Sequence, residues 1–331
     1  MAIIGVVIDH CFGILYSNSY IIHASLFSTG LFVLLSGFSS YDASIGGRRI
    51  SFKYQCKRIG VLYIQYAIAT FVLVLYYNRF FDLKTYITDL LCFSVQAPYY
   101  FLLFFFQLKI VYPFLEAWCR ICSRQQFSFI WHICTLAVTG LVSSFCICYT
   151  YVLPVHGGGQ YLFGGTYLLL YYIGIVFAAS GILELIKRKL KVVLCCGIFL
   201  SLTHVYLSRN GKLIIDTYFT TYLGDGSNPP GIQIIMYTIF VFLTLFACLQ
   251  CLKEMEWGKR VVNFFSWYGK FTMSVFMYHL LVKDFIISTF PVIEKNIWML
   301  RVVLFLSMLG VPVLFAVVLK RIKKFLQAYS V

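Results

Sequence analysis

Charged side chains are what this chain has least of. Only 12% of its 331 residues are Asp, Glu, Lys or Arg, while 61% are hydrophobic. A soluble domain carries about 25% charged and roughly 45–50% apolar residues. One globular core cannot hide so much apolar surface, which excludes a soluble enzyme, a disordered chain and a disulfide-stapled secreted module. Acidic residues are scarcer than basic ones: 12 Asp and Glu stand against 27 Lys and Arg, a net charge of +15. No internal repeat, low-complexity tract or soluble appendage is present. The patterns GxxxxGK[ST], HExxH and GxSxG are missing as well, and with them the usual signatures of a P-loop, a zinc protease and a serine hydrolase. His156-Gly-Gly-Gly159 reads as an outer loop and not as a phosphate cradle following a strand.

What is there in abundance is apolar sequence at membrane-spanning length. A spanning helix needs about 20 apolar residues. Runs bounded by charges or Gly/Pro breaks fall near 1–16, 21–41, 59–78, 98–118, 127–153, 166–186, 192–208, 232–252, 268–291 and 297–319. The reading is an all-α, polytopic integral membrane protein of about ten transmembrane helices, forming a single transmembrane domain over 1–331. Run 268–291 is polar enough to be tilted or partly re-entrant. Segments 79–97 and 209–231 mix aromatic and charged residues and suit helices lying at the interface.

The basic residues then explain most of the net charge. Arg48, Arg49, Lys53, Lys57 and Arg58 occupy the 41–59 connection, and Arg120 and Arg124 the 118–127 link. Lys187, Arg188, Lys189 and Lys191 follow the sixth run; Lys253, Lys259, Arg260 and Lys270 follow the eighth; Lys320, Arg321, Lys323 and Lys324 follow the last. The alternate connections hold mixed charge, with Lys283 and Arg301 balanced by Asp284 and Glu294. The positive-inside rule therefore predicts cytoplasmic termini and an even number of spans. Nucleic-acid binding loses its only support. The first run lacks the basic n-region and cleavage site of a signal peptide, and is read as a retained helix.

Ionisable groups inside spans are expensive and are functional candidates. His10 and His279 each lie about 14–15 Å deep when entered from the inner face at 1.5 Å per residue. Two imidazoles at the membrane middle suit proton transfer; the plainer alternative is that each hydrogen-bonds a neighbouring helix. Asp9 points about 100° away from His10 on a helix, so adjacency does not make it the imidazole's partner. Lys109 sits mid-span, either facing a cavity or snorkelling. His23, His132, His156 and His204 read as ordinary polar contacts. Cys119-Arg-Ile-Cys122 and Cys248-Leu-Gln-Cys251 continue apolar helices without Gly turns, which favours reduced, buried thiols, and no metal is expected. Five positive charges within 48–58 exceed what orientation needs, so this cluster is also read as a site for a phosphorylated ligand.

These residues, taken in order, resemble the membrane-bound acyltransferase-3 family. His10 resembles the family's first-helix histidine. Leu31-Phe-Val-Leu-Leu-Ser-Gly-Phe38 is similar to its second-span LSGF segment. Phe52-Lys-Tyr-Gln-Cys-Lys-Arg58 looks like its basic RxxR lead-in to the third, although the second arginine falls on Val61. Tyr99-Tyr-Phe-Leu and Tyr112-Pro113 fit a later aromatic region with Phe in place of Trp. Tyr268-Gly-Lys-Phe-Thr-Met-Ser-Val-Phe-Met-Tyr-His279 looks like its late YxxH-like segment. The family's usual basic residue upstream of the first histidine would fall before Met1.

The resemblance implies a membrane O-acyltransferase with no permanently bound cofactor, in a bacterial plasma membrane. Its donor would be an acyl-CoA, acetyl-CoA foremost, with phosphates on Arg58, Lys57, Lys53, Arg48 and Arg49. Its acceptor would be a hydroxyl of an extracytoplasmic glycan or related molecule. His10 would act as general base or acyl carrier, with His279 and Tyr278 lining the site. The alternatives are a polysaccharide or lipid-linked sugar exporter without acyl-transfer chemistry, and a non-catalytic scaffold.

Overall fold

Each apolar run becomes helix where the structure describes it, but the first keeps helical geometry for only eight residues. The structure, a computed structural model, describes residues 1–47, 50–152, 167–211, 231–290 and 298–329, with the side chains of 97, 144–152 and 323–329 left aside. Arg48, Arg49, His156 and most of 209–231 lie outside the described residues. Among those described there are no strands. Six helices are long and apolar enough to cross a bilayer, or eight if each of two bent pairs is one span. The expected ten spans are not reached among the described residues. One reason is local: the first run turns out of helix at His10, where the cap amide bonds back to Val6 and Ile8.

Cα packing divides the chain into two units, Met1–Ser28 with Cys251–Val331, and Thr29–Gln250. The first unit contains α1 (Ala2–Asp9) and α2 (Ser19–Ser25). The second contains α3 (Ser28–Ile45, from Thr29 on), α4 (Phe52–Asn78), α5 (Leu83–Cys92), α6 (Tyr100–Ser123) and α7 (Ser128–Val152). It continues through α8 (Leu168–Ala179), α9 (Ile182–Arg188), α10 (Leu190–Arg209) and α11 (Ile232–Lys253). The first unit is completed by α12 (Glu256–Gly269), α13 (Thr272–Thr289) and α14 (Trp298–Tyr329).

In the first unit α13 and α14 pack along each other, and α1 lies on both. Tyr278 turns its ring onto Phe315, and the Tyr268 hydroxyl donates to the Leu309 carbonyl at 3.1 Å. α12 and α13 meet at a 72° bend. α12 carries exposed Trp257, Phe264 and Trp267 beside Lys259 and Arg260, the composition of a helix in the interface plane. The 268–291 run, expected to be tilted or partly re-entrant, is a helix over Thr272–Thr289 that begins just after this bend.

In the second unit small residues set the helix spacing. A Cβ added to Gly37 on α3 would stand 2.1 Å from the Tyr171 carbonyl oxygen on α8. One added to Gly174 on α8 would stand 2.1 Å from the Leu34 carbonyl oxygen on α3. The two backbones therefore touch through reciprocal glycines, the device by which membrane helices approach closely. That contact accounts physically for the glycine of the Leu-Ser-Gly-Phe stretch. Elsewhere aromatic rings fill the unit: Phe104 stacks on Tyr167 at 4.0 Å, and Tyr66 on Phe93 at 4.7 Å. Asp82 caps α5, and the Thr85 hydroxyl with the Lys84 and Thr85 amides holds its carboxyl below the usual range. α5, inside the 79–97 segment expected at the interface, ties back to α4 through Tyr86, whose hydroxyl donates to the Ala67 carbonyl.

Candidate functional site

The two deep histidines meet within the first unit. Their ring centroids are 5.3 Å apart, with planes at 41°. His279 is fully buried on α13, and its Nδ1 lies 3.0 Å from the Val275 carbonyl oxygen and 2.9 Å from that of Phe276. A carbonyl oxygen only accepts, so Nδ1 carries the proton and Nε2 keeps a lone pair. Nε2 is buried and has no hydrogen-bond partner. The helix thus fixes one tautomer and presents an unengaged base beside a second imidazole. Tyr278, one position earlier and about 100° round the helix, packs on Phe315 and takes no part in this pair.

His10 reaches that position because α1 stops there. Backbone that leaves helix inside a bilayer must find partners for its carbonyls. Three side chains supply them in this unit. Tyr16 donates its hydroxyl to the Ile8 carbonyl at 2.9 Å, Lys283 its ammonium to that of His10 at 3.5 Å, and Arg301 its guanidinium to that of Leu15 at 3.3 Å. Gly13 at φ +81 takes the left-handed turn that follows. Lys283 lies one turn beyond His279 on α13, so one helix supplies both the second imidazole and the cation that caps the first. Composition assigned Lys283 and Arg301 only to charge balance on one face. Gly13, the second of two glycines in the first run, was the available signal that the run would break.

Asp9 faces away from the pair, as its 100° offset implied: the Ser25 hydroxyl stands 3.5 Å from it. Cys11 is buried against Met308, sulfur to sulfur 3.6 Å.

The second unit holds a polar column built on two helical stripes. Ser36, Ser40 and Ser44 recur every four residues on α3; Lys109, Tyr112, Glu116 and Arg120 recur every three or four on α6. Lys109 is buried and donates to Ser40 Oγ at 3.0 Å, its ammonium 5.1 Å from the Phe105 ring centroid and 5.8 Å from that of Tyr171. It therefore faces the interior, which decides against snorkelling. Ser44 bonds both Glu116 and Arg120, and those two are paired at 3.0 Å.

The remaining sequence candidates are dispersed. Lys53, Lys57 and Arg58 are exposed on the first two turns of α4, which Ser51 caps, and Arg58 lies over the Tyr54 ring at 5.8 Å. Lys53 and Lys57, four apart, share a face. His132 sits between Ser123 Oγ and the Tyr172 hydroxyl, each at 3.2 Å, and His204 stacks on Tyr237. The contacts of His132 are polar, as expected, whereas the ring contact of His204 is a stack. Cys119 and Cys122 are buried on α6.

No curated protein and no solved structure matches the chain. The acyltransferase-domain family of the acyltransferase-3 type does, over residues 1–319. That match includes His10, the Gly37 contact, the basic start of α4 and His279. A family match over nearly all of the chain, with these residues inside it, makes the protein a member of the acyltransferase-3 family and an acyltransferase with membrane-spanning helices.

Proposed function

We propose that the protein transfers a short acyl group, acetyl foremost, from cytoplasmic acyl-CoA to a hydroxyl of an extracytoplasmic glycan or related acceptor, within a bacterial plasma membrane. The observation that carries this reading is the imidazole pair of His10 and His279, 5.3 Å apart at a helix break. An acyl transfer to oxygen needs a base for the hydroxyl proton and a stabiliser for the charge that develops. His10 takes the acceptor proton as the acceptor oxygen attacks the thioester carbonyl carbon. The carbon–sulfur bond then breaks, and the proton passes to the departing thiolate, leaving an ester and a free thiol. His279, with Nδ1–H committed to backbone, has only a lone pair to offer and steadies the protonated His10 ring. Lys283, at the His10 carbonyl, fixes the ring's position and adds positive charge nearby.

Donor phosphates are assigned to Lys53, Lys57 and Arg58, where the start of α4 adds its positive dipole end to the side-chain charge. Arg48 and Arg49 precede them in sequence and extend the same basic segment.

Purified protein in nanodiscs, supplied with acetyl-CoA labelled in the acetyl group and a glycan acceptor, tests this by mass spectrometry. His10→Ala is expected to lose about 10²–10⁴-fold in transfer while keeping its helical circular dichroism. Lys57→Glu with Arg58→Glu is expected to raise the acetyl-CoA concentration needed, with the saturated rate held. Transfer at the normal rate by His10→Ala would overturn the mechanism; glycan export that survives with no labelled product would favour the exporter reading.

A further inference from the structure

We propose that the column around Lys109 is an anion-binding site in the interior of the second unit. The inference rests on the donor reading above only for the ligands chosen as probes. Lys109 is 6% exposed, and no carboxylate among the described residues lies within ion-pair distance of it. An ammonium has three N–H donors; Ser40 Oγ takes one, and the Phe105 and Tyr171 rings offer only their faces.

The groups around it are also donors. The Tyr171 hydroxyl lies against Ser36 and Ser40 without completing a hydrogen bond of normal geometry. The Ser36 hydroxyl is likewise buried and without a partner. Tyr112, one turn after Lys109, meets Tyr171 edge to face at 6.4 Å, and its buried hydroxyl lies against Glu116 and Ser44. Glu116, the acid nearest along α6, is already held by Arg120 and Ser44.

A buried ammonium with N–H donors to spare and the two hydroxyls of Ser36 and Tyr171, with the neighbouring carboxylate occupied, form a set that lacks an acceptor. Buried polar groups are ordinarily satisfied, and an unpaired buried charge is costly. A carboxylate or phosphate oxygen supplies what is missing: several lone pairs and a negative charge. Two sources carry that chemistry. One is a phosphate of a phosphorylated acyl donor; the other is the free carboxylate of a dicarboxylic acyl group such as succinyl. The site is distinct from the exposed face of Lys53 and Lys57, since its groups are buried.

The test is titration calorimetry on the full chain in nanodiscs with coenzyme A, acetyl-CoA, succinyl-CoA and pantetheine, and with succinate and inorganic phosphate. Lys109→Met is expected to weaken anion binding by at least about tenfold, as loss of a charged hydrogen bond implies. A loss shared by coenzyme A, acetyl-CoA and phosphate, with pantetheine unaffected, identifies the phosphate source. A loss confined to succinyl-CoA and succinate identifies the carboxylate. Ser40→Ala and Tyr171→Phe each remove one donor without a buried charge change, and are expected to weaken the same ligands by a smaller factor. These two variants decide the matter if Lys109→Met does not fold. Unchanged affinity for every anion in all three variants overturns the site while leaving acyl transfer standing. Lys109-dependent binding of succinate or phosphate by a chain that binds no coenzyme A derivative keeps the site and removes the donor reading.

Discussion

The two units bury polarity in opposite ways. The first breaks a helix and brings three side chains to the freed carbonyls of Ile8, His10 and Leu15. What it gains is a pair of adjacent imidazoles, their ring centroids 5.3 Å apart. The second lets α3 and α8 touch through Gly37 and Gly174, so that Ser40 of α3 and Tyr171 of α8 close round an ammonium from α6. A group that must move a proton needs a free lone pair, whereas a group that must hold an anion needs converging donors. One chain contains both solutions, each inside its own unit.

The contrast is broken most directly at His279. His279→Ala removes the unengaged Nε2 and is expected to cut acyl transfer by about 10²-fold or more with little change in donor affinity. A shift in donor KM at constant kcat would assign His279 to binding instead. Gly37→Ala probes the other unit. Its methyl group would meet the Tyr171 carbonyl at 2.1 Å, and backbone overpacking of this kind costs about 1–3 kcal/mol. Thermal melting should fall, and Lys109-dependent binding with it. Gly60→Ala on α4 is the control, because a Cβ there meets nothing within 4 Å; helix propensity predicts a gain of up to about 1 kcal/mol. The smallest effect is expected from Tyr16→Phe, which deletes one hydroxyl from the break after α1. A lost hydrogen bond of this kind costs about 1 kcal/mol, read as earlier melting with transfer retained. Transfer lost in proportion to that of His10→Ala would show that the break, and not the imidazole, limits the reaction.

Helix positions were legible in the sequence because hydropathy alone selects them: 59–78 and 232–252 lie within α4 and α11, the first extended by about two turns at its basic start and the second by one residue. The interior of each run was harder to read. Run 1–16 has enough apolar residues for a span, and its break depends on Lys283 and Arg301, remote residues whose charge had been attributed to topology. The depth argument still brought His10 and His279 together, since equal depth on two spans is independent of how α1 ends. It could not show that Tyr278 turns to Phe315, because that depends on the packing of α13 on α14. Lys109 was visible as a charge at depth, yet which way it faced required Ser40 and Tyr171. The serine stripe at 36, 40 and 44 was the overlooked pattern: a four-residue repeat of hydroxyls within a span has a polar partner to explain.

The reciprocal glycines also constrain how the protein is made. Gly37 enters the bilayer early and Gly174 only after several further helices have been synthesised. At about 5–20 residues per second, the delay is on the order of ten seconds. In the later part of that interval α6 has been made, and Lys109 waits without the ring of Tyr171. Assembly of this unit therefore passes through a stage in which Lys109 has Ser40 and Phe105 but not yet Tyr171. The arrival of α8 completes that shell, and it is the step that a side chain at either glycine would hinder.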